Sequence, residues 1–568
     1  MALVCINPEN FSPIKVLKNA VTRNILLHFI VIFLGLLVYD LGGVDMHSLL
    51  KKSALVFLFC IGPLNLLFCF QMTHRAAKYC STGLAIIFFL DATTNYFLQL
   101  HYGLSPNTSI VWQSIFNTTS TEVWEFLASN WRDVTEAALI FVAVTGGALF
   151  VLGVLSRRVL NDPIVPRRLE KMVAIFFTMI VIALHFNPTM RDANPIAFWP
   201  IRYLEYQRDI AYFKEMQAAM KIAITSQNVG LLKSEAGLQR TVVLVIGESS
   251  NRDNWSLYGY PRKTTPKIDA IRNDIVVFRD VVSAAAYTQD ALKMLLTPAT
   301  LESPERWQTD PNVVMLAKSV GYKVFWLSNQ THTNRGDTFV SIITENADVK
   351  TFTNSGYRSA SPQDDVLLPH VSAALNDTAP LKFIVVHLWG QHQMYSNRYP
   401  SNAGVFDSSD DAVAQSMRSS GRSRSIIKKR NEYDNAIHYG DQVLASLIGL
   451  VAKESKEVPT ALLYVSDHGQ EVGHNRDFAG HSIKEESGYT VPALLWVNAI
   501  YSPFAVNKTK LEKRPYQTDK MDTTLLRLLR ISSENDQPQY DLLGKDFAPF
   551  SRVINGYPYQ SGQSVEPA

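Results

Sequence analysis

Five apolar stretches crowd the first third of this 568-residue chain, and they decide what it can fold into. They run over 24–39, 54–72, 83–100, 137–155 and 172–186. Crossing a bilayer takes about 20 mainly apolar residues, so each is expected to be a transmembrane helix. From about residue 187 the chain is ordinary polar sequence, and the near-zero mean hydropathy is the average of two unlike halves. The first stretch is no secretory leader, because no small-residue cleavage site is evident and further spans follow. Asp91 and Asn95 interrupt the third, which is therefore expected to face other helices rather than lipid.

Lys and Arg placement orients these spans. Lys15, Lys18 and Arg23 precede the first, Arg75 and Lys78 follow the second, and Arg157, Arg158, Arg167, Arg168 and Lys171 follow the fourth. The alternate loops hold only Lys51, Lys52 and Arg132. The N-terminus is thus expected in the cytoplasm and the polar half across the membrane, in the periplasm of a bacterium. That side of the membrane has no ATP, so any group-transfer chemistry there needs an already activated donor; a membrane phospholipid is one. The loop over 101–136 mixes Trp112, Phe116, Trp124, Phe126 and Trp131 with polar residues, which suits a helix pair at the outer interface. A simple packing loop fits that composition equally well.

The 54 basic and 51 acidic residues nearly balance, which argues against a nucleic-acid partner. All four cysteines (Cys5, Cys60, Cys69 and Cys80) lie in the membrane third, so the polar half has neither disulfides nor a cysteine-based zinc site. The chain divides into a transmembrane domain (1–187, five helices), a bridging helix and linker (188–237), a catalytic domain (238–555) and a tail (556–568). In the bridge, Tyr203, Tyr206, Ile210, Phe213 and Met216 share one side of a helix, whose aromatics are expected to rest on the membrane surface.

In the polar half, β-branched apolar runs over 241–246, 275–278, 324–327, 383–387, 461–466 and 491–497 alternate with helical stretches. That implies a largely parallel sheet covered on both faces, an α/β domain behind a helical membrane domain. The Ser-, Asp- and Arg-rich segment 401–430 breaks the pattern and is expected to be a mobile surface loop. Ligands of open α/β sheets gather beyond the carboxyl ends of strands. Glu248 closes the first run, Asp467 and His468 close another, and Thr288 lies between them where a helix begins. Acid, hydroxyl, acid and imidazole suit metal-assisted phosphoryl chemistry. Taken singly, Glu248 also reads as a helix-start carboxylate and Thr288 as a helix N-cap.

The ordered motifs carry more. Val-Ile-Gly-Glu-Ser-Ser at 245–250, Ser-Leu-Tyr-Gly-Tyr-Pro-Arg-Lys-Thr-Thr-Pro at 256–266 and Tyr-Thr at 287–288 come first. Phe-Trp-Leu-Ser-Asn-Gln at 325–330, His-Leu-Trp-Gly-Gln-His at 387–392, Arg-Tyr-Pro at 398–400, Tyr-Asp-Asn at 433–435 and Ser-Asp-His-Gly at 466–469 follow. Together they resemble the bacterial phosphoethanolamine transferases of the alkaline phosphatase and sulfatase superfamily, over nearly the whole chain.

The resemblance implies an inner-membrane, zinc-dependent enzyme with an alkaline-phosphatase-like domain. Thr288 is then the nucleophile, and Glu248, Thr288, Asp467 and His468 hold one tight Zn2+; further divalent ions are compatible with it. His392 and His481 become proton-transfer and substrate residues, and Asn329 a polar residue near the phosphate. Arg335 aligns loosely as a cation, Ser250 and Ser283 are weaker nucleophile candidates, and His387 reads as structural. The implied donor is phosphatidylethanolamine, the acceptor lipopolysaccharide or lipid A, and the state a monomer.

Three departures bear on this. Gln470 stands where the family often has Glu, and Asn117-Thr118-Thr119 where it has Glu-Thr-Asn. The cysteine-free catalytic half favours the branch acting on core heptose. A phosphoglycerol transferase of the lipoteichoic-acid-synthase type shares the plan, and a non-catalytic sensor with a degenerate hydrolase domain is the rival from another class. No Cys/Ser-x-Pro-x-Arg motif supports a sulfatase activity.

Overall fold

The computed structural model describes residues 20–40, 46–106, 111–159 (apart from 113, 116, 117 and 119), 168–226, 239–331, 339–354, 362–501, 506–532 and 537–561. The chain forms two compact units, 1–112 with 130–207 and 113–129 with 208–568.

The first unit is helical: α1 (Ala20–Asp40), α2 (Met46–Phe59), α3 (His74–Tyr102), with α4 (Ser120–Ser129) belonging to the other unit, then α5 (Trp131–Val159) and α6 (Arg168–Leu184). Beyond Phe59, α2 continues through one wide turn, Cys60–Leu64, and ends at Phe68. Pro63 sits in that turn, where its missing N–H breaks the regular ladder. Five spans were expected. Among the described residues three helical stretches are long and apolar enough: Met46–Phe68, Arg75–Tyr102 and Trp131–Leu155. The described apolar part of α1, Ile25–Asp40, is shorter, and the described part of α6 is 17 residues long, about 26 Å. Asp91 does face other helices: its Oδ2 lies 2.5 Å from Lys52 Nζ and its Oδ1 accepts from Trp199 Nε1 at 3.1 Å.

α7 (Pro195–Ser226) carries the chain from one unit to the other. Its Phe213 does not rest on a membrane surface: it is 1% exposed and packs 4.2 Å from the Trp307 ring inside the second unit's core. In the loop expected at the interface, α4 is helical with Trp124 exposed, whereas Trp112 is buried.

The second unit holds a seven-stranded sheet made of β1 (Arg240–Gly247), β2 (Ile275–Phe278), β3 (Lys323–Thr331), β4 (Val349–Asn354), β5 (Leu381–His387), β6 (Thr460–Ser466) and β7 (Ala493–Val497). The spatial order is β2-β7-β6-β1-β5-β3-β4, and β7 alone runs opposite to the other six strands. Val242 to Ile246 are fully buried, and alternate residues feed two cores, one on each face. Each such side chain contributes about 1.5–3 kcal/mol on burial. Both-face burial explains why these strands read as continuous apolar runs rather than alternating ones.

Register then aligns the carboxyl ends. Ile246 pairs with His387, Gly247 with Ser466, and Ser328 with His387. Segment 401–430, expected to be a mobile loop, instead forms α9 (Ala412–Ser419) and, after α8 (Thr288–Leu296) earlier in the chain, the first turns of the long α10 (Arg424–Glu454). Asp411 caps α9 by accepting from Ala414 N at 2.8 Å, and Val413, Ala414 and Met417 bury one face. The polar composition that suggested a loop is the solvated face of a short amphipathic helix.

Candidate metal and phosphoryl-transfer site

The aligned strand ends place Glu248 directly beside Asp467, where Asp467 N donates to Gly247 O at 3.0 Å. The chain turns sharply after Glu248, with Ser249 in the left-handed region at φ 57°. That conformation costs a non-glycine residue about 1–2 kcal/mol, and it frees Ser249 N to donate to Asp467 Oδ1 at 3.0 Å. On the opposite side Gly390, at φ 50°, abuts the same turn: a Cβ there would lie 2.7 Å from Glu248 O.

Glu248, Asp467 and His468 are fully buried and offer ligand atoms within 4.8 Å of one another. His468 Nδ1 lies 2.7 Å from Gly469 O, which fixes Nδ1 as the donor and turns Nε2 toward both carboxylates at 3.4 Å. Thr288, the first residue of α8, completes the set: Oγ1 donates to Glu248 Oε2 at 3.1 Å and lies 3.3 Å from His468 Nε2. Its hydroxyl does not cap the helix; the cap position is Tyr287, which makes no side-chain capping bond. The first-turn N–H groups and the helix dipole are thus presented beside the hydroxyl.

Two observations fit a divalent cation here. Asp467 Oδ2 is buried with no hydrogen-bond partner among the described residues. Burial and the Glu248 charge push the Asp467 carboxyl up to about 7. Burial would lower His468, yet Asp467 and Glu248 raise it to about 9. Burial likewise opposes ionisation of Glu248, but the hydrogen bond and charge of His468 hold it well below the usual carboxylate range. Such crowded negative charge wants a positive centre, and oxygen and imidazole donors suit zinc.

The remaining expected residues divide. The His481 ring lies 4.8 Å from that of His468, and His392 is close enough that a proton on it would act on Glu248 and His481. Burial lowers both, His481 to about 3, so both rings are neutral at physiological pH. Asn329 is committed elsewhere, donating to Pro362 O at 2.8 Å and Asp364 Oδ1 at 2.9 Å. Its neighbour Gln330 is the amide at the site, donating to Glu248 Oε2 at 3.2 Å, and the sequence reading missed it. Successive strand residues point to opposite faces, and the string Ser-Asn-Gln leaves open which face is which.

Ser283 Oγ donates to Asp467 O at 2.5 Å, and Ser250 Oγ accepts from Trp255 Nε1 at 2.9 Å, so both candidates hold the scaffold. Gln470 is buried and donates to Tyr395 OH at 2.9 Å, while Glu471 binds Ser487 and Asn475. Arg335, Asn117 and Thr119 lie outside the described residues.

Comparison with known proteins identifies the family. The Sulfatase family profile matches residues 240–531. Phosphoethanolamine transferase EptC of Escherichia coli K12 is 29% identical over 493 residues, 82% of each chain. The crystal structure of the C-terminal periplasmic domain of Escherichia coli EptC in complex with zinc is 32% identical, covering 58% of this chain and 93% of that one at a TM-score of 0.53. The integral membrane lipooligosaccharide phosphoethanolamine transferase A of Neisseria meningitidis shares the fold over 91% of this chain and 98% of its own, at 19% identity and a TM-score of 0.61. The chain belongs to the sulfatase family and, within it, to the multi-pass membrane phosphoethanolamine transferases, with the catalytic domain in the periplasm.

Proposed function

We propose that the chain transfers phosphoethanolamine from phosphatidylethanolamine to a lipopolysaccharide-type acceptor in two steps, through a covalent adduct on Thr288. The observation that carries this is the Thr288 hydroxyl, held 3.1 Å from Glu248 Oε2 and 3.3 Å from His468 Nε2 at the head of α8. Glu248, Asp467, His468 and Thr288 would hold one Zn2+, which lowers the hydroxyl's pKa and offsets charge on the phosphoryl oxygens when bound.

In the first step Thr288 Oγ attacks phosphorus and the bond to the glycerol oxygen breaks. The α8 N–H groups hold the phosphoryl oxygens. The threonine proton is given up, and a proton is delivered to the departing diacylglycerol oxygen. We assign these transfers to His392 and His481: a neutral ring takes the threonine proton and the same proton passes to the departing glycerol oxygen, which both rings suit in being buried, with Nδ1 atoms that have no partner among the described residues. In the second step an acceptor hydroxyl oxygen attacks the adduct's phosphorus, the P–Oγ bond breaks, and the acceptor's proton passes through an imidazole to Thr288 Oγ, which leaves as the hydroxyl.

The cysteine-free catalytic half favours core heptose as acceptor, with lipid A as the other candidate. Incubating the purified chain with labelled phosphatidylethanolamine and labelled phosphatidylglycerol tests the donor. Diacylglycerol release from the first alone is expected, and release from phosphatidylglycerol alone would make the chain a phosphoglycerol transferase. Mass spectrometry of lipopolysaccharide with and without the gene reads the acceptor.

A further inference from the structure

Arg398 is a fully buried arginine next to the catalytic loop, and its counter-charge comes from the other half of the sequence. Its Nη2 lies 2.6 Å from Oε2 of Glu125, a residue of α4 that is 11% exposed. Asn397 Nδ2 donates to the other oxygen of Glu125 at 3.0 Å, so both carboxylate oxygens are gripped. Lys429 Nζ donates to Ser129 O at 2.9 Å, fastening the last residue of α4 as well. In chain order α4 lies between α3 and α5, two helices long enough to span a membrane, yet the segment 113–129 groups with the catalytic unit.

The guanidinium also organises the loop that bears His392. Nε donates to His392 O at 3.1 Å and Nη2 to Gln393 O at 2.7 Å. Its carbon lies 4.8 Å from the centroid of the Trp389 ring, and that ring stacks on His392 at 4.6 Å with a 25° interplanar angle. From the start of the loop, Asp364 accepts from Trp389 N and Gly390 N at 2.7 and 2.9 Å. Met394 takes the left-handed conformation at φ 61°, which persists only where the surroundings over-determine it. The His392 ring is therefore set by Trp389, Trp389 by Arg398, and Arg398 by Glu125. A buried guanidinium without its carboxylate is strongly disfavoured, so the whole stack depends on α4.

We propose that Glu125 and Arg398 are positioning residues that fix the His392 ring, making phosphoryl transfer conditional on the docking of a loop from the membrane half. This rests on His392 acting in transfer as described above. Neither residue needs to touch the lipid for this role. A 1 Å displacement of a reacting group costs up to about 100-fold in rate, so loosening the loop acts on turnover rather than on donor affinity.

The test uses the full zinc-loaded chain in micelles, with Glu125→Gln, Arg398→Lys, His392→Asn and the two double variants containing His392→Asn. Arg398→Lys keeps the buried charge if Glu125→Gln fails to fold. Expected are kcat losses of about 10- to 100-fold for diacylglycerol release in Glu125→Gln and Arg398→Lys, with KM unchanged. Neither change should slow His392→Asn further. Hydrogen–deuterium exchange over 389–398 should rise in both single variants while β1 and β6 stay protected. Wild-type kcat, losses that multiply with His392→Asn, a KM effect alone, or unchanged exchange would each overturn the proposal. A wild-type chain that releases no diacylglycerol overturns the donor reading instead, and the exchange experiment then still decides the positioning.

Discussion

Gly390 shows how much of the site depends on a residue with no side chain. Its φ of 50° and the 2.7 Å approach of a hypothetical Cβ to Glu248 O leave no room for alanine. Gly390→Ala should cost about 1–2 kcal/mol in backbone strain and push Glu248 out of line with Asp467. Zinc affinity, measured by competition with a chelating dye, should fall about 10- to 100-fold; an unchanged affinity would show that the turn can yield.

His387 makes a second prediction at this scale. It is 1% exposed, neither ring nitrogen has a partner among the described residues, and burial pushes it down to about 4 against the pull of Glu248. In the unfolded chain it titrates near about 6.5. As pH falls from about 6.5 toward about 4, the unfolded state takes up the proton first, so stability is lost over that window, up to about 3 kcal/mol from this group. Above about pH 6.5 the contribution is fully present. A His387→Phe protein should therefore lose less stability between pH 7 and 4.5 than the wild type in parallel denaturant titrations; equal losses would refute the assignment.

Residue identity was legible at the site because Glu248, Asp467, His468 and Thr288 each follow a recognisable strand or begin a recognisable helix. Gln330 was missed for want of strand facing. Glu125 and Arg398 were hidden because their contact joins residues 273 positions apart, which no local pattern encodes.

At the scale of elements, the parallel strands were readable from their continuous apolar runs, since a strand buried on both faces shows no alternation. α9 was not, because its buried face is only Val413, Ala414 and Met417 amid serines and aspartates. What holds it is Arg262: Nε and Nη2 bind Asp411 at 2.8 and 3.0 Å, Nη1 binds Asp434 at 2.6 Å, and Nη2 also donates to Asn431 at 2.7 Å. Asp434 is fully buried on α10. Arg262→Leu leaves that carboxylate without its direct ion pair, with only the charge of Arg430 still acting on it, and about 3–5 kcal/mol of destabilisation is expected. Denaturant midpoints of the variant measure it, with exchange rising first over 411–419. A loss under about 1 kcal/mol would mean that Tyr260 and Asn254, which donate to Asp434 at 2.8 Å each, suffice.

For the whole molecule, the membrane half and the catalytic half meet different solvents and obey different rules. The Lys52–Asp91 pair marks the first, and the sheet-end carboxylates mark the second. The chain's two-part plan was plain from hydropathy alone, and among the described residues three helical stretches are long and apolar enough to span. A cation bound only by the native sheet ends must stabilise the fold by linkage, about 4 kcal/mol at a free concentration 1,000 times Kd. Removing metal with a chelator should lower the catalytic half's melting temperature, and zinc should restore it; indifference to both would remove the metal from the account.

The central claim is that the Thr288 oxygen carries the transferred group. Intact-mass and peptide mass spectrometry of the full chain, quenched after mixing with phosphatidylethanolamine and no acceptor, tests it most directly. A single phosphoethanolamine adduct mapping to Thr288, absent in Thr288→Ala, is the predicted result. Undiminished transfer by Thr288→Ala, or an adduct mapping to another residue, would contradict it.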